Sequence, residues 1–194
     1  MELASSQKLL ARLYTDSVLQ RRFYADPVTV GAGFGLSEPD SKELANLPQE
    51  YVRNFTKELR RDRLQKVTHE LPLSHQLMGR EFGDAFREYL LKSPPPTDQL
   101  PWKDALRFVD FFPTYLKKHS VTSNWAFDLL RFEAARLHAI WEDRAIQLFW
   151  SRFRIRKLVR LLRAKSAPQQ ASAIPSFSII MVSSRPEGIR AIGL

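Results

Sequence analysis

The spacing of apolar residues changes near Arg144, and that change limits the folds open to the chain. Upstream, apolar residues recur every three to four positions, the period of a helix with one buried face. Downstream, residues 148–157, LFWSRFRIRK, set Arg152, Arg154 and Arg156 on alternate positions with Ser151, Phe153 and Ile155 between them. Period two is the mark of a strand with one charged and one mostly apolar face. A helix through 150–163 is the alternative reading of the same run. Residues 158–165, LVRLLRAK, favour a helical turn, and 166–173, SAPQQASA, reads as a flexible loop. Residues 176–184, SFSIIMVSS, are rich in strand formers. Arg185-Pro186-Glu187-Gly188 is a good turn, and Ile189 to Gly193 returns as the second arm of a hairpin. The division expected is a helical body over 1–143 and a basic three-stranded module with a short helix over 144–194. Three strands need one face covered, and the body can supply the cover.

Within the body, Leu9, Leu10 and Leu13 share one helical face. Asp16 can cap a second helix whose Val18, Leu19, Phe23 and Tyr24 form one side, and Asp26-Pro27 suits the start of a third. Gly31, Gly33 and Gly35 break the pattern, and Ser37 opens another helix with Asp40 in its first turn. A longer helix is predicted over 48–68, burying Tyr51, Val52, Phe55, Leu59, Leu64 and Val67 and exposing Lys57, Arg60, Arg61 and Arg63. Residues 71–91 read as two short helices broken near Gly79 or Gly83. Three consecutive prolines make 92–100 a loop. A helix follows over 102–118, disturbed at Pro113. Asn124 can cap the strongest helix, 125–143, with Phe127, Leu130, Ala134, Leu137 and Trp141 on one stripe.

The net charge of +9 is confined to one end. Residues 1–143 hold 20 Lys and Arg against 20 Asp and Glu, whereas 144–194 hold 10 against one, Glu187. A neutral body with a basic end is suited to a negatively charged partner: nucleic acid, an anionic membrane or an acidic peptide. Aromatic Phe149, Trp150 and Phe153 lie among the arginines. They either stack on bases or face a core while the arginines face water. The chain has no cysteine, which excludes disulfides, thiolate metal sites and cysteine nucleophiles. No apolar run approaches the roughly 20 residues of a membrane span. Met1 to Leu13 carries Glu2 and Lys8 and lacks the apolar core of a signal peptide, so a cytoplasmic location is expected.

Catalytic constellations are hard to assemble. His69, His75, His119 and His138 form neither HExxH nor a metal-finger spacing. His138 and Glu142, four apart on a helix, could grip one metal ion, but a surface or packing role suits them better. Glu133 and Arg136 read as a local or interhelical ion pair. The glycines at 31, 33 and 35 lack GxGxxG spacing and a P-loop lysine, so helix ends explain them better than phosphate binding. Ser74 beside His75 is no nucleophile elbow. The chain is expected to bring no catalytic residues and no metal of its own. The aromatic run Phe108, Phe111, Phe112 and Tyr115 around Pro113 reads chiefly as core, with a contact patch for a partner as the alternative.

Several segments resemble one family when taken together. LARLYTDSVLQRRFYADP, 10–27, followed by GLSEPDSKELANL, 35–47, has an F-x-x-D-P then GLS pattern. LPLSHQLMGREFGDAFREYLLKSPPP, 71–96, carries P-x-x-x-x-L-x-G-x-x-F, and DLLRFEAARL, 128–137, is similar to a D-L-A-R-L-E-W-A helix. These features resemble the HvfC-type family, whose members often carry a DNA-binding-domain label. The resemblance spans most of the chain, although no one motif is diagnostic. It implies a partner subunit of a multinuclear non-haem iron oxidase, with the iron in the oxidase. The substrate implied is a ribosomally made, cysteine-containing precursor peptide, as in methanobactin biosynthesis. The implied fold is mainly α with a small C-terminal antiparallel β module, like a winged helix or a RiPP recognition element. The precursor's leader would then add as a strand at Ile189, Arg190, Ala191, Ile192 and Gly193, with Arg152, Arg154, Arg156 and Arg185 selecting its acidic residues. The rival reading is a DNA-binding regulator in which the same arginines meet phosphates.

Overall fold

The computed structural model describes residues 3–96, 98–121, 125–142, 146–164, 176–182 and 189–193, with the backbone alone at 146–148, 176–182 and 189–193. Most of these residues are helical. The helices are α1 (Leu3–Thr15), α2 (Ser17–Ala25), α3 (Pro27–Ala32), α4 (Glu38–Ala45), α5 (Gln49–Glu70), α6 (Pro72–Met78), α7 (Arg80–Lys92), α8 (Pro101–Leu116), α9 (Ala126–Trp141) and α10 (Ile155–Arg163). The strands are β1 (Ile146–Ser151), β2 (Ser176–Val182) and β3 (Ile189–Gly193). No helix among the described residues is long and apolar enough to cross a membrane.

The chain divides into two compact units, Met1–Arg63 and Leu64–Leu194. The boundary expected at 143/144 falls inside the second, where α9 packs on β1 and β2.

In the first unit the helix starts follow local chemistry. The Asp16 carboxylate accepts from the N–H groups of Val18 and Leu19, both at 3.0 Å. Asp26 accepts from Thr29 at 3.1 Å just before Pro27, and Ser37 Oγ accepts from Asp40 N–H at 3.3 Å. Each satisfies donors that a helix N-terminus leaves orphaned. Leu9, Leu13, Phe23, Val30, Leu36, Leu44 and Val52 form the core. Val18, expected on the buried side of α2, is exposed.

The α5 stripe differs from expectation. Val52 and Thr56 are buried, whereas Tyr51 is 75% exposed and Phe55 47%. The Thr56 hydroxyl satisfies itself by donating to the Val52 carbonyl at 2.8 Å. Phe55 instead leans on Tyr14, with ring centroids 4.4 Å apart. Neighbouring aromatics offered two overlapping helical faces, and the packing partner selected the one containing the smaller threonine.

The second unit is built on two cores that share α9. Leu130, Ala134 and Leu137 pack with Val67, Phe82, Phe86, Tyr89, Phe108 and Phe112. Trp125, Leu129 and Phe132 pack with Leu73, Phe149, Phe153, Ile155, Leu158 and Leu162. The aromatic run of α8 is core rather than contact patch: Phe108 and Phe112 are fully buried and Tyr115 nearly so. Pro113 sits inside α8 without ending it. The break between α6 and α7 falls at Gly79, whose φ of +54° is one that side chains rarely adopt. The Asn124 cap, the loop 166–173 and the turn 185–188 lie outside the described residues.

The strands pair antiparallel in the order β1-β2-β3. Trp150 is paired with Phe177, and Ser151 with Ser176, at one end of β1. On the other side of β2, Met181 pairs with Arg190 and Ile179 with Ile192. The expected strand over 148–157 is thus corrected: β1 ends at Ser151 and a helix begins at Ile155.

Candidate peptide-binding site

The corner between β1 and α10 is set by α9. Asp128, in the first turn of α9 and buried, accepts from Ser151 Oγ at 3.0 Å and from Arg152 N–H at 2.9 Å. Ser151 Oγ in turn accepts from Phe153 N–H at 3.0 Å. These bonds take backbone and side-chain groups that a longer strand would need, and the chain turns into α10. Helical spacing then resumes with Ile155, Leu158 and Leu162, all buried. At the far end Gln76 Nε2, from α6, donates to the Leu162 carbonyl at 2.8 Å. Both ends of α10 are therefore held by other helices.

Arg152, Arg154 and Arg156 do not share a strand face. Arg152 lies in the bend, Arg154 stands at the N-cap position of α10 with no side-chain cap bond and Arg156 is in its first turn; all three are exposed. Phe149 and Phe153 are buried against α9, with Phe149 and Phe132 edge to face at 6.1 Å. Trp150, between Phe149 and Ser151 on the opposite face of the strand, is 57% exposed.

The edges of the three strands differ. At β1, Arg131 of α9 reaches in: its Nη1 donates to the Trp150 carbonyl at 3.5 Å. Its guanidinium lies 5.2 Å from the Phe149 ring centroid and 5.8 Å from that of Phe127, within cation–π range. A charge set against an edge strand obstructs further pairing. Among the described residues, β3 has β2 on one side and no strand on the other. Ile189, Arg190, Ala191, Ile192 and Gly193 make up that strand, and Arg185 lies outside the described residues. The arrangement separates the expected site residues into a β3 edge and a cationic α10, which packs on α6 and α9.

Glu133 has a role different from the ion pair expected with Arg136. It is 1% exposed, and its two carboxylate oxygens accept from the N–H groups of Leu73 and Ser74, each at 2.8 Å. It thereby caps the start of α6 from a different helix, where negative charge meets the positive end of the helix dipole. Burial pushes its carboxyl pKa up, partly offset by the bonds from Leu73 and Ser74. His138 and Glu142 meet each other, Nδ1 to Oε2, at 2.9 Å.

Asp128, Arg131 and Glu133 were missed as positioning residues. The signal available was three charges within six residues of a helix otherwise rich in apolar residues. Asp128→Ala is expected to cost about 2 kcal/mol, the scale of hydrogen bonds to a buried charge. Hydrogen exchange should locate the loss at 149–163 and leave the first unit protected. Equal loss of protection across both units would contradict this assignment.

No family model matches the chain, and neither a curated protein nor a solved structure matches it.

Proposed function

We propose that this chain is the non-catalytic partner subunit of an iron-dependent oxidase. In this reading it binds the leader of a cysteine-containing precursor peptide by strand addition at β3 and supports conversion of the precursor's cysteines to oxazolone and thioamide groups. The observation that carries the peptide part is the strand order β1-β2-β3, which among the described residues leaves β3 with a neighbour on one side only. Strand addition draws affinity from main-chain hydrogen bonds and needs little from side chains. The partnership with an oxidase rests on the resemblance of 10–47, 71–96 and 128–137 to HvfC-type subunits. The methanobactin biosynthesis subunit MbnC is a subunit of this kind, and the reading by analogy with it implies an MbnB-like iron oxidase and an MbnA-like precursor. A C-terminal module of the winged-helix or RiPP-recognition-element kind is part of the same proposal.

A DNA-binding regulator is the second reading. It is favoured by the exposed cations between Arg152 and Arg163. The two differ in salt dependence, because a duplex releases counterions in proportion to the phosphates neutralised. Titration of a labelled leader and a labelled duplex at two salt concentrations, with and without the oxidase, separates them. The expected result is leader binding that persists at higher salt, and co-elution of chain and oxidase on size exclusion. Tight, specific duplex binding with no leader binding, even beside the oxidase, would overturn the proposal.

A further inference from the structure

We infer that the exposed face of α10 is a separate docking surface for a carboxylate-rich segment of a protein partner. This goes beyond leader binding at β3 and does not depend on it. Arg152 and Arg154 lead into α10, and Arg156, Lys157, Arg160 and Arg163 line its outer side, all exposed. Residues 144–164 contain no Asp or Glu. Among the described residues, no carboxylate lies within ion-pair distance of Arg160 or Arg163.

The arrangement works against the helix that carries it. Arg160 and Arg163 stand three apart, a spacing at which like charges repel. Arg154, Arg156 and Lys157 crowd the N-terminal end, where the dipole disfavours cations, and the first turn holds no acid. The helix is nevertheless held at both ends, by the Asp128 bonds and by Gln76. A rigidly presented row of mutually repelling cations is relieved by an anionic partner.

The chemistry favours carboxylates over a nucleic acid backbone. α10 spans only about 13 Å at 1.5 Å per residue. A row this short reaches few of the phosphates along a duplex, and duplex affinity grows with the number neutralised. The outer side of α10 offers no aromatic ring for base stacking and no Asn or Gln for base edges. Three or four carboxylates on a short segment match its length, and the guanidinium fork binds carboxylates in a bidentate manner.

The test uses the full chain, a short fluorescein-labelled glutamate-rich peptide and a labelled random-sequence duplex, read by anisotropy. Wild type should bind the peptide more tightly than the duplex. Arg160→Gln/Arg163→Gln should weaken the peptide about tenfold at low salt, with less difference at high salt as screening removes the shared charge term. Both side chains are exposed, and an unchanged circular dichroism melt confirms folding; Arg163→Gln alone should give an intermediate loss. A proline that abolishes leader binding at β3 should leave glutamate-peptide affinity unchanged, so the two surfaces fail independently. Preference for the duplex, absence of peptide binding, or peptide binding insensitive to Arg160 and Arg163 would overturn the inference.

Discussion

Replacing Glu133 by alanine is expected to lower the stability of the Leu64–Leu194 unit by about 3 kcal/mol, the combined scale of two lost charge-assisted bonds and two stranded donors. The Leu73 and Ser74 N–H groups it accepts from belong to buried residues, with Ser74 fully enclosed. Removing the carboxylate leaves both donors without a partner and opens space beside α6. In melting temperature the loss is roughly 6–12 °C for a domain of this size. Glu133→Gln should cost less, because its carbonyl still accepts one of the two bonds while its amide faces the other donor. The pH dependence has a definite sign. Burial raises the folded-state pKa above the unfolded one, so the folded form binds the proton more tightly. The stability linked to that proton is complete below the ordinary carboxylate range and is lost as pH rises through the raised value. Glu133→Gln should remove this part of the pH profile. Chemical denaturation of the three proteins across acid to neutral pH measures both effects. Equal stability of wild type and alanine variant would show that α6 is capped in some other way.

The second large effect is expected at β3. In an antiparallel pair, successive residues of a strand direct their N–H groups alternately toward the partner and away from it. Arg190 and Ala191 are successive, and β2 is the partner of both. One of the two N–H groups therefore takes part in the β2–β3 ladder and the other faces the open edge. Arg190→Pro and Ala191→Pro should consequently behave differently. One loosens the hairpin and lowers stability; the other leaves the fold and removes a donor from the incoming strand. The second kind is expected to weaken leader binding by about tenfold or more, the worth of a main-chain bond plus the clash of the proline ring. Arg190→Ala should lose less, and its loss should shrink with added salt because it acts through charge. Isothermal titration with the leader, paired with a melt of each variant, reads all three. Leader binding indifferent to both prolines would place the peptide elsewhere.

The helical body and its caps were legible because their causes are local. Asp16, Asp26 and Ser37 act on N–H groups within three residues of themselves. The in-and-out pattern near Arg152 was also legible: Ser151, Phe153 and Ile155 are buried and Arg152 and Arg154 exposed. The backbone carrying that pattern was not. Alternating burial satisfied a strand and a bend into a helix equally well, and Asp128, 23 residues upstream of Ser151, chose between them.

What the sequence by itself determined was therefore which residues seek water and where most helices begin, both properties of short stretches of chain. Tertiary structure decided the rest. Because α9 is packed on two sides, Asp128 and Glu133 lie inside interfaces, although a one-sided helix would have turned such charges to solvent. The same helix sends Arg131 against β1, while β3, among the described residues, has a strand on one side only. A hydrogen bond between residues dozens of positions apart has no periodic trace in either segment. The partners become visible only when folding brings them within 3 Å.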